Sequence, residues 1–361
     1  MKHAVISTRF FAVAAAVAIL TSGCTAPHSG IATLPPQVSA DAALSLWNDG
    51  APAREALVAY VKAVTDPNGP DFIPADARVA VFDLDGTLFC ETDPNYFDYM
   101  LLVHRVSEDP DYRGRASDSE RETVRKIVEM NETGVSAKGL ETDHGKAIAS
   151  SFAGFTPGAF DRYIQEFKKT PMPGYNGMAR GDGFYRPMLQ VVDYLRANGF
   201  KVWIVSGTDR FIVRGLVRNS PLAIPPERII GSDESVVAAK QGDADGLGYQ
   251  LGAGEEVILG GRFIVKNLKM NKVSAIVREI GAQPVISFGN STGDSSMASY
   301  TTHRNPHRSI AFMLCCDDTV RENGNAGKAA KMRALCKENG WIPVSMRDDW
   351  KAIYGEGVTR R

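Results

Sequence analysis

Short, wholly apolar runs that end in polar clusters alternate along this chain with stretches of helical spacing. Val79-Ala80-Val81-Phe82 stops at Asp83, and Val202-Trp203-Ile204 stops at Val205-Ser206-Gly207-Thr208. Pro284-Val285-Ile286 leads into Phe288-Gly289-Asn290-Ser291-Thr292-Gly293-Asp294, and Ile310 to Leu314 is a further run. A run apolar at successive positions predicts a strand buried on both faces, as in a parallel sheet. Between these runs lie helical patterns: Asp41 to Ala63, Met188 to Asn198 before Gly199, Asp209 to Val217, and a helix opened by Lys272 with Val273, Ile276, Val277 and Ile280 on one face. Strands alternating with helices predict an α/β fold with a doubly wound, Rossmann-like parallel sheet.

Two stretches interrupt the alternation. From Thr92 to about Tyr185 the pattern is helical and poor in strands. Tyr96 to Val103 forms one segment, and Phe152 to Phe160 leads into another with Thr156 as its cap. Residues 228–265 contain Ile229-Ile230, Tyr249-Gln250-Leu251 and Glu256-Val257-Ile258-Leu259 separated by Gly and Asp, which predicts a small β insertion. Asp243-Ala244-Asp245-Gly246 lacks the remaining ligand spacing of a calcium loop and reads as a turn.

The polar clusters sit where an open α/β sheet binds ligands, beyond strand ends or at helix starts. Asp83 and Asp85 stand two apart, and Gly86 breaks the strand after them. Two carboxylates there can serve a cation, a nucleophilic displacement and a proton transfer together. Asp-Gly is also a common turn pair and Thr a common cap. That plainer reading loses weight because the other clusters follow in a fixed order.

With these segments in order, residues 76–352 resemble the haloacid dehalogenase superfamily of aspartate-nucleophile phosphatases. The chain is most similar to the branch that holds phosphoserine phosphatase and secreted phosphorylcholine phosphatases. The resemblance implies that Asp83 is the nucleophile and Asp85 the general acid/base. It implies that Thr87, Ser206, Gly207 and Lys272 bind the phosphoryl group. It further implies a Mg2+ site formed by Asp83, Asp85, Asn290 and Asp294, and a helical cap over residues 92–185. Dehalogenases of the superfamily lack an acid two residues after the nucleophile, so Asp85 points to phosphate esters. Its transport ATPases carry Lys where this chain has Leu84, and no long apolar spans follow, which excludes a pump.

Two positions depart from the pattern. Asn290 stands where many relatives have Asp, leaving Asp294 as the anionic ligand. The lysine has neighbours, Lys266 and Lys269; by resemblance, the spacing to Ile276, Ile280 and Gly289-Asn290 fits secreted relatives best at Lys272, with Lys269 as runner-up. Glu91, Asp93 and Tyr96 fall where relatives contact a substrate amine or choline, although ordinary cap packing and surface charge is the preferred reading. His144 and Arg180 face either the pocket or solvent.

Lys2 and Arg9 precede an apolar stretch from Phe10 to Leu20 and then Thr21-Ser22-Gly23-Cys24. This reads as a signal peptide over residues 1–23 whose ending resembles a lipobox, so Cys24 would carry the lipid. Residues 24–40 read as a tether, 41–91 as the start of the core, 92–185 as the cap and 186–361 as the rest of the core. The expected location is the periplasm, with membrane contact through the lipid anchor only. The net charge of −1 gives no track for nucleic acid. In an oxidising compartment, Cys315 or Cys316 can pair with Cys336 or Cys90. The expected function is Mg-dependent hydrolysis of a small phosphomonoester, with phosphoserine and phosphocholine as candidate substrates. Phosphoryl transfer to another acceptor and a non-catalytic binding lipoprotein are the alternatives.

Overall fold

A computed structural model describes residues 40–91 and 93–361. The expected signal peptide, Cys24, all but the last residue of the tether, and Thr92 lie outside the described residues. The strands are β1 Val79–Phe82, β2 Tyr175–Asn176, β3 Lys201–Asp209, β4 Ile229–Ala238, β5 Val257–Val265, β6 Ile286–Gly289, β7 Ile310–Cys315, β8 Ile342–Ser345 and β9 Thr359–Arg360. Seven of them form one sheet in the order β5-β4-β3-β1-β6-β7-β8. All neighbours in it run parallel except β4 and β5. From β1 the chain moves to β3 on one side, and later returns to β6 on the other. The carboxyl end of β1 is therefore the switch point of the sheet, where a crevice opens.

Helices cover both faces: α1 Ala40–Ala43, α2 Pro52–Thr65, α3 Phe97–Val103, α4 Asp118–Thr133, α5 Leu140–Ser151, α6 Pro157–Lys168, α7 Arg186–Ala197, α8 Arg210–Val217, α9 Met270–Ala275, α10 Ser295–Thr302 and α11 Ala326–Asn339. The period of two along β1 sends its side chains into two layers. Ala80 and Phe82 join the larger cluster with Tyr60, Val192 and Leu195, whereas Val79 and Val81 pack with Val205, Ile230, Ile276 and Met297. Phe82, Phe288 and Phe312 stack across β1, β6 and β7 with ring centroids 4.4 and 4.8 Å apart. This stack underlies the switch point, and truncating one of these rings would cost about 3–5 kcal/mol.

The helical expectation for residues 92–185 corresponds to α3, a following π-helical turn over His104–Glu108, and α4 to α6, with only the two-residue β2 as strand. Ser117 and Glu120 form a capping box at the start of α4. Thr156 accepts the Ala159 N–H at 3.1 Å and caps α6. α5 packs on β5, and α6 on α8, so this layer rests against one end of the sheet.

Three expectations change. The β insertion at 228–265 is continuous with the main sheet: β4 pairs with β3, and β5 returns antiparallel as its edge strand. Tyr249 to Leu251 lies in the connecting loop, where the Gly and Asp content defeats the ladder. The helix expected over Asp41 to Ala63 breaks between α1 and α2. There Trp47 turns inward against Trp350, with centroids 5.9 Å apart. Asn48 N–H donates to Asp349 O and Lys351 N–H to Leu46 O, each at 2.8 Å. Among the described residues no disulfide forms. Cys315 and Cys336 pack as thiols in one apolar cluster, and the Cys90 thiol lies 3.6 Å from Glu322 Oε1. No described helix is long and apolar enough to cross a membrane.

Candidate active site

The parallel register carries β1 and its neighbours to a common end, and the Asp83 N–H donates to Phe288 O at 2.9 Å. Beyond that end is a cavity of about 80 Å³. Asp83 and Asp85 line it from the segment after β1, Gly207 and Thr208 from β3, and Asn290, Ser291 and Asp294 from the loop after β6. Lys266 and Leu268 close another side, Glu91 faces it from just before the insertion, and Tyr96, Asp98, Tyr99 and Glu141 face it from the insertion itself.

Lys272, on α9, is wholly buried. Its ammonium group donates to Asp83 Oδ1 at 2.5 Å, Asp294 Oδ1 at 2.6 Å and Val205 O at 2.7 Å. Burial works against this charge, but Asp294 and Asp83 outweigh it and hold the pKa above its ordinary value. Asp294 Oδ2 accepts the N–H groups of Asn290 and Ser291, each at 3.1 Å, which shapes the loop. With Oδ1 held by Lys272, Asp83 keeps Oδ2 for chemistry; its nearest side-chain donor is Thr87 Oγ1 at 3.5 Å. Burial pushes the Asp83 carboxyl up to about 7, with Asp294 adding to the rise and Lys272 opposing it.

Asp85 accepts from Thr208 Oγ1 at 2.8 Å through Oδ2, while Oδ1 is buried without a partner. Burial raises its pKa well above the ordinary range, and Asp98 and Asp83 raise it further. Gly86 follows with φ +76°, and a Cβ there would collide with Asn290 Nδ2 and Glu91 Oε2. Only glycine suits that conformation and that approach. Asn290 Nδ2 donates to Glu91 Oε2 at 2.5 Å, and the Tyr96 hydroxyl to Glu91 Oε1 at 3.2 Å.

Several expected residues stand elsewhere. Ser206 is fully buried off the cavity wall, its Oγ accepting the Thr208 N–H at 3.0 Å, so Thr208 and Gly207 occupy the wall instead. Thr87 is buried behind Asp83. Lys269 makes a backbone contact to Gly293 outside the Asp83–Asp294 pair. Asp93 turns away from the cavity and accepts the Gly174 N–H at 2.5 Å, because that loop needs an acceptor. Arg180 donates to Asp93 O at 3.3 Å over the Phe167 ring. His144 is buried beside Tyr99, with Nδ1 3.9 Å from Asp98 Oδ2, and burial pushes its pKa down to about 4.

Asp98, Tyr99 and Glu141 had no sequence signal beyond lying in helical segments. Both Asp98 carboxylate oxygens are buried without a hydrogen-bond partner.

Among the described residues, no three His, Cys, Asp or Glu side chains form a metal cage by themselves. The available oxygens are Asp83 Oδ2, the unpartnered Asp85 Oδ1 and the Asn290 amide oxygen. Such a set fits magnesium, which takes one or two carboxylates and completes its shell with water and phosphate.

A family model for haloacid dehalogenase-like hydrolases matches residues 80–299. No curated protein matches the chain. Among solved structures, a conserved functionally unknown protein from Anaerococcus prevotii is 15% identical with a TM-score of 0.50, over 81% of this chain and 91% of that one. A cytosolic 5'-nucleotidase IIIB bound to cytidine is 11% identical with a TM-score of 0.48, over 83% and 87%. A substrate-bound phosphoserine phosphatase is 15% identical with a TM-score of 0.39, over 75% and 94%.

Proposed function

The chain belongs to the haloacid dehalogenase-like hydrolases, and on that premise we propose that it hydrolyses small phosphomonoesters in a magnesium-dependent reaction, through an aspartyl-phosphate on Asp83. The observation that carries this reading is the pairing of two different carboxylates on one small cavity. Asp83 is fixed by Lys272 with Oδ2 open, and Asp85 is buried in surroundings that favour its protonated form. A halide leaves without a proton, whereas an alkoxide needs one.

In the first step, Asp83 Oδ2 attacks phosphorus in line. The ester P–O bond breaks, and Asp85 gives its proton to the departing alkoxide oxygen. In the second, Asp85 takes a proton from water, and the resulting hydroxide cleaves the acyl phosphate and regenerates Asp83. Gly207 and Thr208 line the wall that would face the phosphoryl oxygens, and Lys272, whose three protons serve Asp83, Asp294 and Val205, contributes its charge from behind that wall. Bound magnesium offsets the repulsion between a phosphate dianion and the attacking carboxylate. Asp83, Asp85 and Asn290 offer the oxygens that would hold it, and Asp294, engaged by Lys272 and the loop amides, would supply negative charge beside them.

The leaving group faces Asp98, Glu141, Tyr96 and Tyr99, a lining of carboxylates and ring faces suited to a cation. Phosphocholine and phosphoserine are therefore the first substrates to try. The reading extends to export and lipid anchoring through Cys24, tested by whether Cys24→Ala releases the protein from the membrane fraction. For the chemistry, phosphate release from a panel of phosphomonoesters and halide release from haloacids should be measured side by side. Phosphate release that disappears on chelation and in Asp83→Asn is expected. Halide release without phosphate release would overturn the reading.

A further inference from the structure

A second cavity, of about 340 Å³, adjoins the catalytic one. Glu91, Tyr96, Asn290 and Ser291 line both, so the Glu91–Asn290 hydrogen bond is a shared lip. Asp83 and Asp85 belong to the first cavity alone. The second has a different character. Leu314, Cys315, Met332 and Leu335 provide an apolar floor. Lys328 and Lys331 stand one turn apart on α11, on the same side of the helix, and both are exposed. Neither ammonium group has an ion-pair partner among the described residues. Both lysines sit in the first half of a 14-residue helix, whose N-terminal partial charge has the same sign.

The two cavities therefore present, in order, an acidic wall with the unpartnered Asp98, an apolar floor and a basic mouth. We propose that the second cavity receives the outer part of the leaving group, so that the preferred substrate is a phosphomonoester of an amine-bearing alcohol extended by an apolar segment that ends in a carboxylate. This rests on the phosphomonoesterase reading and specifies its substrate class. The amine meets Asp98 and Glu141, the apolar segment crosses the lip onto Leu314 and Met332, and the carboxylate reaches Lys328 and Lys331. An amino-terminal phosphoseryl dipeptide has this sequence of charges.

The test uses phosphoseryl-leucine, its C-terminal amide, and phosphocholine, which lacks the extension. With wild type, KM for the acid should be about five- to tenfold below that for the amide, the scale of one or two solvent-exposed ion pairs. Lys328→Glu/Lys331→Glu should erase that difference while leaving kcat for both, and both constants for phosphocholine, unchanged. The lysines are exposed and outside the catalytic machinery, so the fold should tolerate the reversal. Equal KM values in wild type, or a difference that survives the double variant, would overturn the proposal. If no phosphomonoester released phosphate, the hydrolase reading would fail separately. The second cavity would then be read by calorimetric titration with seryl-leucine: weaker binding in the double variant supports it, and unchanged or absent binding overturns it.

Discussion

The Lys272 ammonium group lies 2.5 Å from Asp83 Oδ1, wholly shielded from solvent, although the two residues are 189 positions apart in the chain. It orients one carboxylate oxygen and so leaves the other pointed for attack. Asp83→Asn keeps the shape and removes the nucleophile. Phosphate release should fall by at least about 10³-fold, as for loss of a covalent nucleophile, with far-UV circular dichroism unchanged. Retained turnover would transfer the role to another group.

Removing the lysine has a second consequence. Lys272→Met leaves Asp83 and Asp294 buried side by side without a counter-charge, and losing one partner of such a cluster costs about 3–5 kcal/mol. Urea unfolding should register that loss, with turnover at least about 10²-fold lower. Lys269→Met should match wild type in both assays. A larger loss at Lys269 would move the phosphate-binding lysine to that position.

For the metal, chelation should abolish phosphate release and magnesium restore it. Asp294→Ala should weaken apparent magnesium affinity more than Asn290→Ala, because Asp294 carries the charge and also holds the loop through the Asn290 and Ser291 amides. Magnesium titrations of activity in the two variants provide the comparison; the reverse ranking would show that the neutral oxygen dominates.

His144 gives a pH dependence of stability that is independent of turnover. Its pKa is pushed down by burial to about 4, below the roughly 6.5 of an unfolded histidine. As pH falls from 6.5 to 4, the unfolded chain takes up a proton that the native state refuses. Stability is therefore lost across that window, by about 3 kcal/mol at its lower end. The drop in unfolding free energy between pH 7 and pH 4 should be smaller by this amount in His144→Phe. Identical drops would mean that the imidazole is protonated in the folded protein.

Asp98, whose carboxylate lines the cavity unpartnered, should read a cationic leaving group. Asp98→Asn is expected to raise KM for phosphocholine about tenfold, the scale of one partly screened charge–charge attraction, with little change for an aryl phosphate. Glu91→Gln should do less, since Glu91 is already engaged by Asn290 and Tyr96. Equal effects of Asp98→Asn on both substrates would remove charge recognition at that wall.

The sheet was readable because a strand buried on both faces is apolar at successive positions, as β1 is throughout. The segments around Asp83, Gly207 and Asn290 were readable for the same reason: polar residues directly after such a run have only the sheet's end to occupy. Side-chain direction was less legible. Ser206 and Thr208 are both polar residues of one segment, and a bulge between β3 and β4 at this point turns Thr208 onto the cavity wall. Asp98 and Glu141 come from α3 and α5, which dock on each other and on α4, with α5 also on β5, so their periodicity said nothing of what they face. The antiparallel return of β5 was hidden because the Gly260-Gly261 pair interrupts its apolar run and reads as a break.

The pairing of residues 46–48 with residues 349–351 closes a loop of some three hundred residues around both the sheet and the helical layer. A seam of this kind couples the two flanks of the chain in opening. In native-state hydrogen exchange, the Asn48 and Lys351 amides should share one protection factor and respond together to denaturant, since neither partner can be released while the other stays bound.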